Sequence, residues 1–140
     1  MEHRSVLAEQ KGLQVKRYFT KEGVSPFEMC KYEKRTSTIR NPDGSVVFQM
    51  DDIEVPSFWT QVATDILAQK YFRKAGVPLR NEDGELLVDE NGKVITGSET
   101  GIKQVAHRIA GCWKHWGERY GYFTFPRDAA VFYEEMVFMI

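Results

Sequence analysis

The chain has 140 residues, 42% of them hydrophobic and 28% charged, with a formal net charge of −1. That length suffices for one domain burying about two-thirds of its unfolded surface, and the near-neutral balance argues against a dedicated nucleic-acid binder, which carries a basic excess. Two cysteines are too few for a disulfide scaffold, the start Met1-Glu-His-Arg-Ser5 lacks the apolar stretch of a signal peptide, and no apolar run is long enough to span a bilayer, so a soluble, cytoplasmic piece without membrane partners is expected.

In chain order, residues 1–13 are polar and aperiodic and are expected to be frayed or weakly helical. Gln14 to Phe19 alternates well enough to predict a short strand, broken by Gly23 and Pro26. Residues 27–39 are charged, but Tyr32, Thr36, Thr38 and Ile39 favour extended backbone. Asn41-Pro-Asp-Gly44 is a strong turn signal, because proline presets φ and Asp-Gly accepts the tight bend. Ser45 to Met50 follows as the returning strand of a β-hairpin. Pro56-Ser57 then opens a helix with Ser57 as its N-cap. Phe58, Trp59, Val62, Ala63, Ile66, Leu67 and Tyr71 make its apolar face, and Ala75-Gly-Val-Pro78 stops it. Residues 79–96 are turn-rich. Leu86 to Val88 and Val94-Ile95 flank Asp89 to Gly92 and predict a small exposed hairpin, with a mobile insertion as the alternative.

The segment from Gly97 to Gly117 predicts the central helix. Ile102, Val105, Ala106, Ile109, Trp113, Trp116 and Tyr120 recur at helical spacing, and two tryptophans at i, i+3 predict the spine of the core. Thr100 or Ser98 is the expected cap, and Gly117 and Gly121 are the places to stop. Tyr122 to Phe125 leads into Pro126, a good first helical residue, and Ala130, Tyr133, Met136, Val137 and Ile140 begin another amphipathic helix. Its closing run, Met136-Val-Phe-Met-Ile140, is apolar and uncapped. This predicts that a missing part of a larger protein covers it.

Residue chemistry alone supplies no active site. Cys112 and His115 stand at C-x-x-H spacing, but neither His3 nor Cys30 has a spacing that would complete a zinc site, and Cys112 is read as a small core residue. His107 is weighed as an acid/base group and read instead as a boundary histidine donating to a carbonyl. The Asp-Gly segments fail as calcium loops, since counting back from Gly44, Gly84 and Gly92 puts Ile39, Leu79 and Leu87 where aspartate is required. Lys103, His107, Arg108, Lys114, His115 and Arg119 give the central helix a basic side, read as a solvated face. Asp51, Asp52 and Glu54 are weighed as paired carboxylates for general acid/base work and read instead as acids at a strand end before a helix, where they favour the helix N-terminus or face solvent.

Five collinear blocks carry a resemblance. They are Arg17 to Phe27, Ile39 to Phe48, Val55 to Pro78, Gly97 to Gly117 and Phe132 to Met136. Together they resemble the N-terminal domain of the large, adenosylcobalamin-dependent (class II) ribonucleotide reductases, with departures at residues 27–35, at residues 79–96, and at Phe125-Pro126, where a polar cap is expected. The resemblance implies a helix-rich α+β domain spanning residues 1–140, with three main amphipathic helices and one or two β-hairpins, flanking an α/β catalytic barrel. It implies an enzyme that replaces the ribose 2′-hydroxyl with hydrogen by cobalamin-initiated thiyl radical chemistry, reset by a thioredoxin-like dithiol. The family's catalytic cysteines, Glu and Asn lie in the barrel. Neither Cys30 nor Cys112 matches them, so no catalytic, cofactor-binding or metal residue is carried over. The expected partner is the enzyme's own barrel through the last helix, with homo-oligomerisation left open and no adenosylcobalamin bound to this segment. A separately encoded module docking on a barrel subunit is the rival reading. A nucleotide-binding regulatory domain is disfavoured by the lack of a phosphate loop.

Overall fold

The computed structural model describes residues 11–140, so the expectation for the first ten residues lies outside it. Among the described residues the class is α+β, with three α-helices and two antiparallel two-stranded sheets. The described residues pack as two compact units: Cys30–Val105, and Ala106–Ile140 together with residues 11–29.

In the first unit, β1 (Tyr32–Arg40) and β2 (Val46–Pro56) pair antiparallel, with Tyr32 opposite Pro56 and Arg40 opposite Val46. The predicted turn closes them: the Gly44 amide donates to the Asn41 carbonyl (2.9 Å) and the Asn41 amide to the Ser45 carbonyl (2.8 Å). β2 runs six residues beyond the expected Met50 because Ile53 and Val55 alternate inward and are fully buried. Arg35 faces Ile53 while Ser37 faces Met50, so β2 carries one extra residue there. Asp52 sits in this bulge at φ +56, a left-handed conformation that aspartate tolerates better than most residues.

Arg35 ties the hairpin to the next helix. Its guanidinium donates to the carbonyls of Trp59 (2.6 Å) and Ser57 (3.1 Å), to the Thr64 hydroxyl (3.2 Å) and to Glu33 (2.6 Å). Ser57 is thereby held as an extension of the hairpin, its amide donating to the Lys31 carbonyl, and it is not the N-cap. That role falls to Thr60, whose hydroxyl accepts from the Ala63 amide (3.1 Å). Helix α1 (Gln61–Ile66) is accordingly short and widens into a π turn over Leu67–Tyr71, where Phe72 donates to the Leu67 carbonyl. The buried face is Thr64, Leu67, Ala68 and Phe72, whereas Phe58, Val62, Ile66 and Tyr71, expected inside, are exposed. Thr64 can occupy the interior because Arg35 and the Thr60 carbonyl satisfy its hydroxyl.

Residues 79–96 contain two turns where one hairpin is expected. Arg80 bridges Leu86 around Asn81–Glu85, and Val88 bridges Val94 around Asp89–Lys93. Both repeat the hairpin turn of residues 41–45, with the amide of the first residue bonded to the carbonyl of the fifth and a glycine at φ near +80 in the fourth place. The stretches beginning at Ile39, Leu79 and Leu87 are three copies of one eight-residue pattern. The last two are tandem and chained by amides: Leu87 donates to Leu79, Ile95 to Leu87, and Leu79 to Ile95. The short strands β3 (Val77–Pro78) and β4 (Thr96–Gly97) hold their ends together.

Helix α2 (Ile102–Arg119) is capped by Gln104 in place of Thr100 or Ser98. Its carboxamide oxygen accepts from the Thr100 (2.6 Å) and Gly101 (3.1 Å) amides. Just before it, buried Glu99 accepts from the Arg73 amide (2.8 Å).

In the second unit, Ala106 and Ala110 of α2 and Val137 of α3 (Pro126–Met139) form the core, with Phe27, Tyr133, Met136 and Ile140 against it. The contact is made on small residues, which let neighbouring elements come close. Gly117 belongs to the same set and does not stop the helix: a Cβ there would overlap the Phe123 ring, which lies 5.3 Å from Phe132. The helix ends near Gly121, where the Tyr122 amide donates to the Gly117 carbonyl. Because the small face turns inward, the expected core rings turn outward. Trp113 is 42%, Trp116 51% and Tyr120 63% exposed, which corrects the reading of the tryptophans as the spine of the core.

Residues 14–19 do not form the expected strand. Carboxylates of α3 take their amides where a partner strand would: Val15 donates to Asp128 (2.9 Å), Phe19 (3.0 Å) and Thr20 (2.9 Å) to Glu135, and Arg17 pairs with Glu134. Leu13, read as part of a frayed stretch, donates to the Tyr122 carbonyl (2.7 Å) and accepts from the Thr124 amide (3.0 Å). Asp128 also accepts from the Phe125 amide (3.0 Å), so the polar cap missing at Phe125 is supplied three residues later.

Candidate functional site

Two grooves collect the titratable candidates, one in each unit. The first, of about 530 Å³, is lined by His107, Arg108, Cys112, Lys114, His115 and Tyr133, among others. It brings together the three His and Cys candidates of α2 with two of its basic residues. Lys103 belongs to the other groove, and Arg119 lines neither. His107 Nδ1 lies 2.7 Å from the Tyr133 hydroxyl, with the rings edge to face, so its partner is a phenol and not the expected carbonyl. Burial, then the charge of Glu134, pushes the Tyr133 phenol above its ordinary value. A phenol protonated at neutral pH can donate to an unprotonated Nδ1, leaving the ring proton on Nε2.

The second groove, of about 280 Å³, lies beside the β2 bulge between Lys34, Asp52, Glu54, Gly101, Lys103 and Gln104. Lys103 Nζ is 3.3 Å from Glu54 and 4.1 Å from the centroid of the Tyr32 ring. Burial is the main reason the Tyr32 phenol is held above its ordinary value, with a hydrogen bond to Cys30 and the charges of Cys30 and Glu54 adding to it. Asp51 accepts from the Thr36 hydroxyl (2.9 Å). The three acidic candidates therefore sit within β2 and not past its end; Glu54 lies against the start of α2, bridged to Gly101 and paired with Lys103 as expected of an acid at a helix N-terminus, while Asp51 is held by a hydroxyl.

Both cysteines are free thiols, Cys30 half-buried and Cys112 exposed, so Cys112 is not the core residue expected: it sits on the flank of α2 away from Ala106 and Ala110. Among the described residues no group of three His, Cys, Asp or Glu could hold a metal, and no helix is long and apolar enough to cross a membrane. Cys112 and His115 share a groove without a completing ligand set. What the grooves offer is a phenol–imidazole pair and a lysine–carboxylate pair on open surface, with no third group orienting either toward a substrate.

Sequence reasoning missed the side chains that carry the framework: Arg35, Glu99, Asp128 and Glu135. For Asp128 a signal existed, an acid at the third helical position after Pro126. Glu135 has a pH consequence. Burial pushes its carboxyl up, but hydrogen bonds from the Phe19 amide, the Thr20 hydroxyl and amide, and the Tyr18 amide outweigh this, and it is held below 4.5. A depressed folded value means the contact is fully present above the unfolded value and is lost as pH falls through the folded one. In an NMR titration, the Thr20 amide resonance should move with a midpoint below that of an ordinary glutamate, and Glu135→Gln should abolish that movement.

A family model described as class II vitamin B12-dependent ribonucleotide reductase matches residues 33–140. The chain is 44% identical to the vitamin B12-dependent ribonucleotide reductase of Bradyrhizobium diazoefficiens over 91% of its own length and 12% of that protein's. It is 42% identical to that of Agrobacterium fabrum, over 91% of this chain and 11% of the relative. To the Streptomyces clavuligerus protein of the same name it is 36% identical, over 93% and 12%. The chain thus spans about one-eighth of the length of the curated relatives it matches.

Proposed function

We propose, from the fact that this chain belongs to the class II vitamin B12-dependent ribonucleotide reductase family, that it is the N-terminal, non-catalytic domain of such an enzyme. The observation that carries this reading is the match itself: nearly the whole chain aligns, yet it accounts for about one-eighth of each relative. The complete cytoplasmic enzyme would convert a ribonucleotide to a deoxyribonucleotide, with adenosylcobalamin supplying the radical and a thioredoxin-like dithiol the reducing equivalents.

The described residues do not fit the cofactor. Both grooves are open surface furrows and not enclosed cavities that could hold a macrocycle away from water. No step of the cobalamin chemistry is assigned to this segment. Its role is to pack against the catalytic barrel, with the exposed Phe138 and Met139 at the end of α3, flanked by Phe19 stacked on Phe138, as one contact.

The test is a comparison of two proteins. The whole polypeptide carrying this segment, given adenosylcobalamin and a dithiol, should turn over a ribonucleoside diphosphate or triphosphate. The 140-residue chain under the same conditions should not. Turnover by the short chain, or none by the long one, overturns the reading.

A further inference from the structure

The outward rings of α2 form an ordered seam. Ile102, Ala106, Ile109, Trp113, Trp116 and Tyr120 follow one another at alternating intervals of four and three, two positions in every seven. That is the spacing by which one helix presents knobs to another. Ile102 and Ala106, at the start of the seam, are buried, whereas Trp113, Trp116 and Tyr120 emerge to solvent. Apolar residues that continue a packing pattern after the chain's own core has turned away from it are a seat for a second helix.

The edge of the seam says what kind. At about 100° per residue, His115 and Arg119 lie along the side of the Trp116–Tyr120 stripe that faces away from buried Ala106 and Gly117. The Arg119 guanidinium stands 5.8 Å from the Tyr120 ring. The nearby acid, Glu118, lies on the opposite side, 3.6 Å from Lys114. Trp, Tyr and Arg are also the side chains that dominate binding hot spots.

We propose that Trp113, Trp116 and Tyr120 seat an amphipathic α-helix with an Asp/Glu edge, contributed by the rest of the reductase polypeptide. The inference rests on the reading of this chain as part of a longer reductase, and names a second contact besides the end of α3. In one polypeptide the seam meets its partner at an effective concentration in the millimolar range, so contacts of modest intrinsic strength suffice.

The test places a photo-crosslinking residue in the whole polypeptide, as Trp116→p-benzoylphenylalanine. Irradiation should join position 116 to a helix outside residues 1–140 that carries acidic residues beside its apolar ridge. The paired substitution Trp113→Ser/Trp116→Ser removes two half-exposed rings and should leave the 140-residue chain folded, read as an unchanged far-UV CD spectrum and a still cooperative melt. In the whole enzyme it should speed amide exchange across residues 113–120 by about tenfold or more. Crosslinks to a second copy of this chain, to residues within 1–140 only, or to nothing overturn the inference, as does unchanged exchange. Loss of turnover in the unsubstituted whole polypeptide would instead strike the reading it rests on, and is measured separately.

Discussion

Arg35→Ala lowers the unfolding free energy of the chain by about 3 kcal/mol, read from urea denaturation, because several acceptors lose a charged donor together. The Trp59 and Ser57 carbonyls and the Thr64 hydroxyl depend on it, and Thr64 is fully buried. The guanidinium side chain is itself only 15% exposed, so water replaces it poorly. Arg35→Lys should recover little, since one ammonium cannot reach acceptors spread around a planar fork. Thr64→Val keeps the shape but removes both bonds of the hydroxyl, the one from Arg35 and the one to the Thr60 carbonyl, and should cost about 1–2 kcal/mol. In the Arg35→Ala background Thr64→Val should cost much less, and full additivity would show that the two side chains do not interact.

Asp128→Ala should cost about 2–3 kcal/mol, the second of the two large effects. One carboxylate oxygen holds the Val15 amide and the other the Phe125 amide, and the residue is 2% exposed. Asparagine is no rescue. Its carbonyl can keep one of the two amides, but its NH2 then faces a donor. Amide exchange separates the consequences: Val15 and Phe125 should both lose protection in Asp128→Ala, while Gly44, held by its own turn, should keep it. A variant in which only Phe125 responds would mean that the N-terminal segment is held mainly by Glu134 and Glu135.

What could be read in advance was whatever the chain settles locally. Asn41-Pro-Asp-Gly44 makes its turn from its own backbone and side chains, and Pro126 opens α3 where a proline at the first helical position belongs. The choices that failed were settled by distant residues. Ser57 and Thr60 are both good caps, and the deciding guanidinium comes from Arg35, more than twenty positions earlier. Residues 14–19 alternate like a strand, but the acceptors that satisfy them are carboxylates more than a hundred residues away. On α2, periodicity identified an apolar stripe correctly and could not say which flank would be buried. Ala106, Ala110 and Gly117 won because small side chains admit a closer approach than indole rings do. The candidate residues were legible as residue types, and the His107–Tyr133 pair was not, because it joins two helices 26 positions apart in sequence. The repeat was visible in principle: Ile39, Leu79 and Leu87 each stand five places before a glycine, a spacing considered only against calcium ligation.

That repeat makes the segment between Val77 and Gly97 modular. Each eight-residue turn closes on itself and delivers the chain back within one hydrogen bond of its departure point, as the chain of amides through Leu79, Leu87 and Ile95 records. Duplicating or excising a whole octad leaves the two anchoring ends where they were, while an insertion of any other size breaks the stacking.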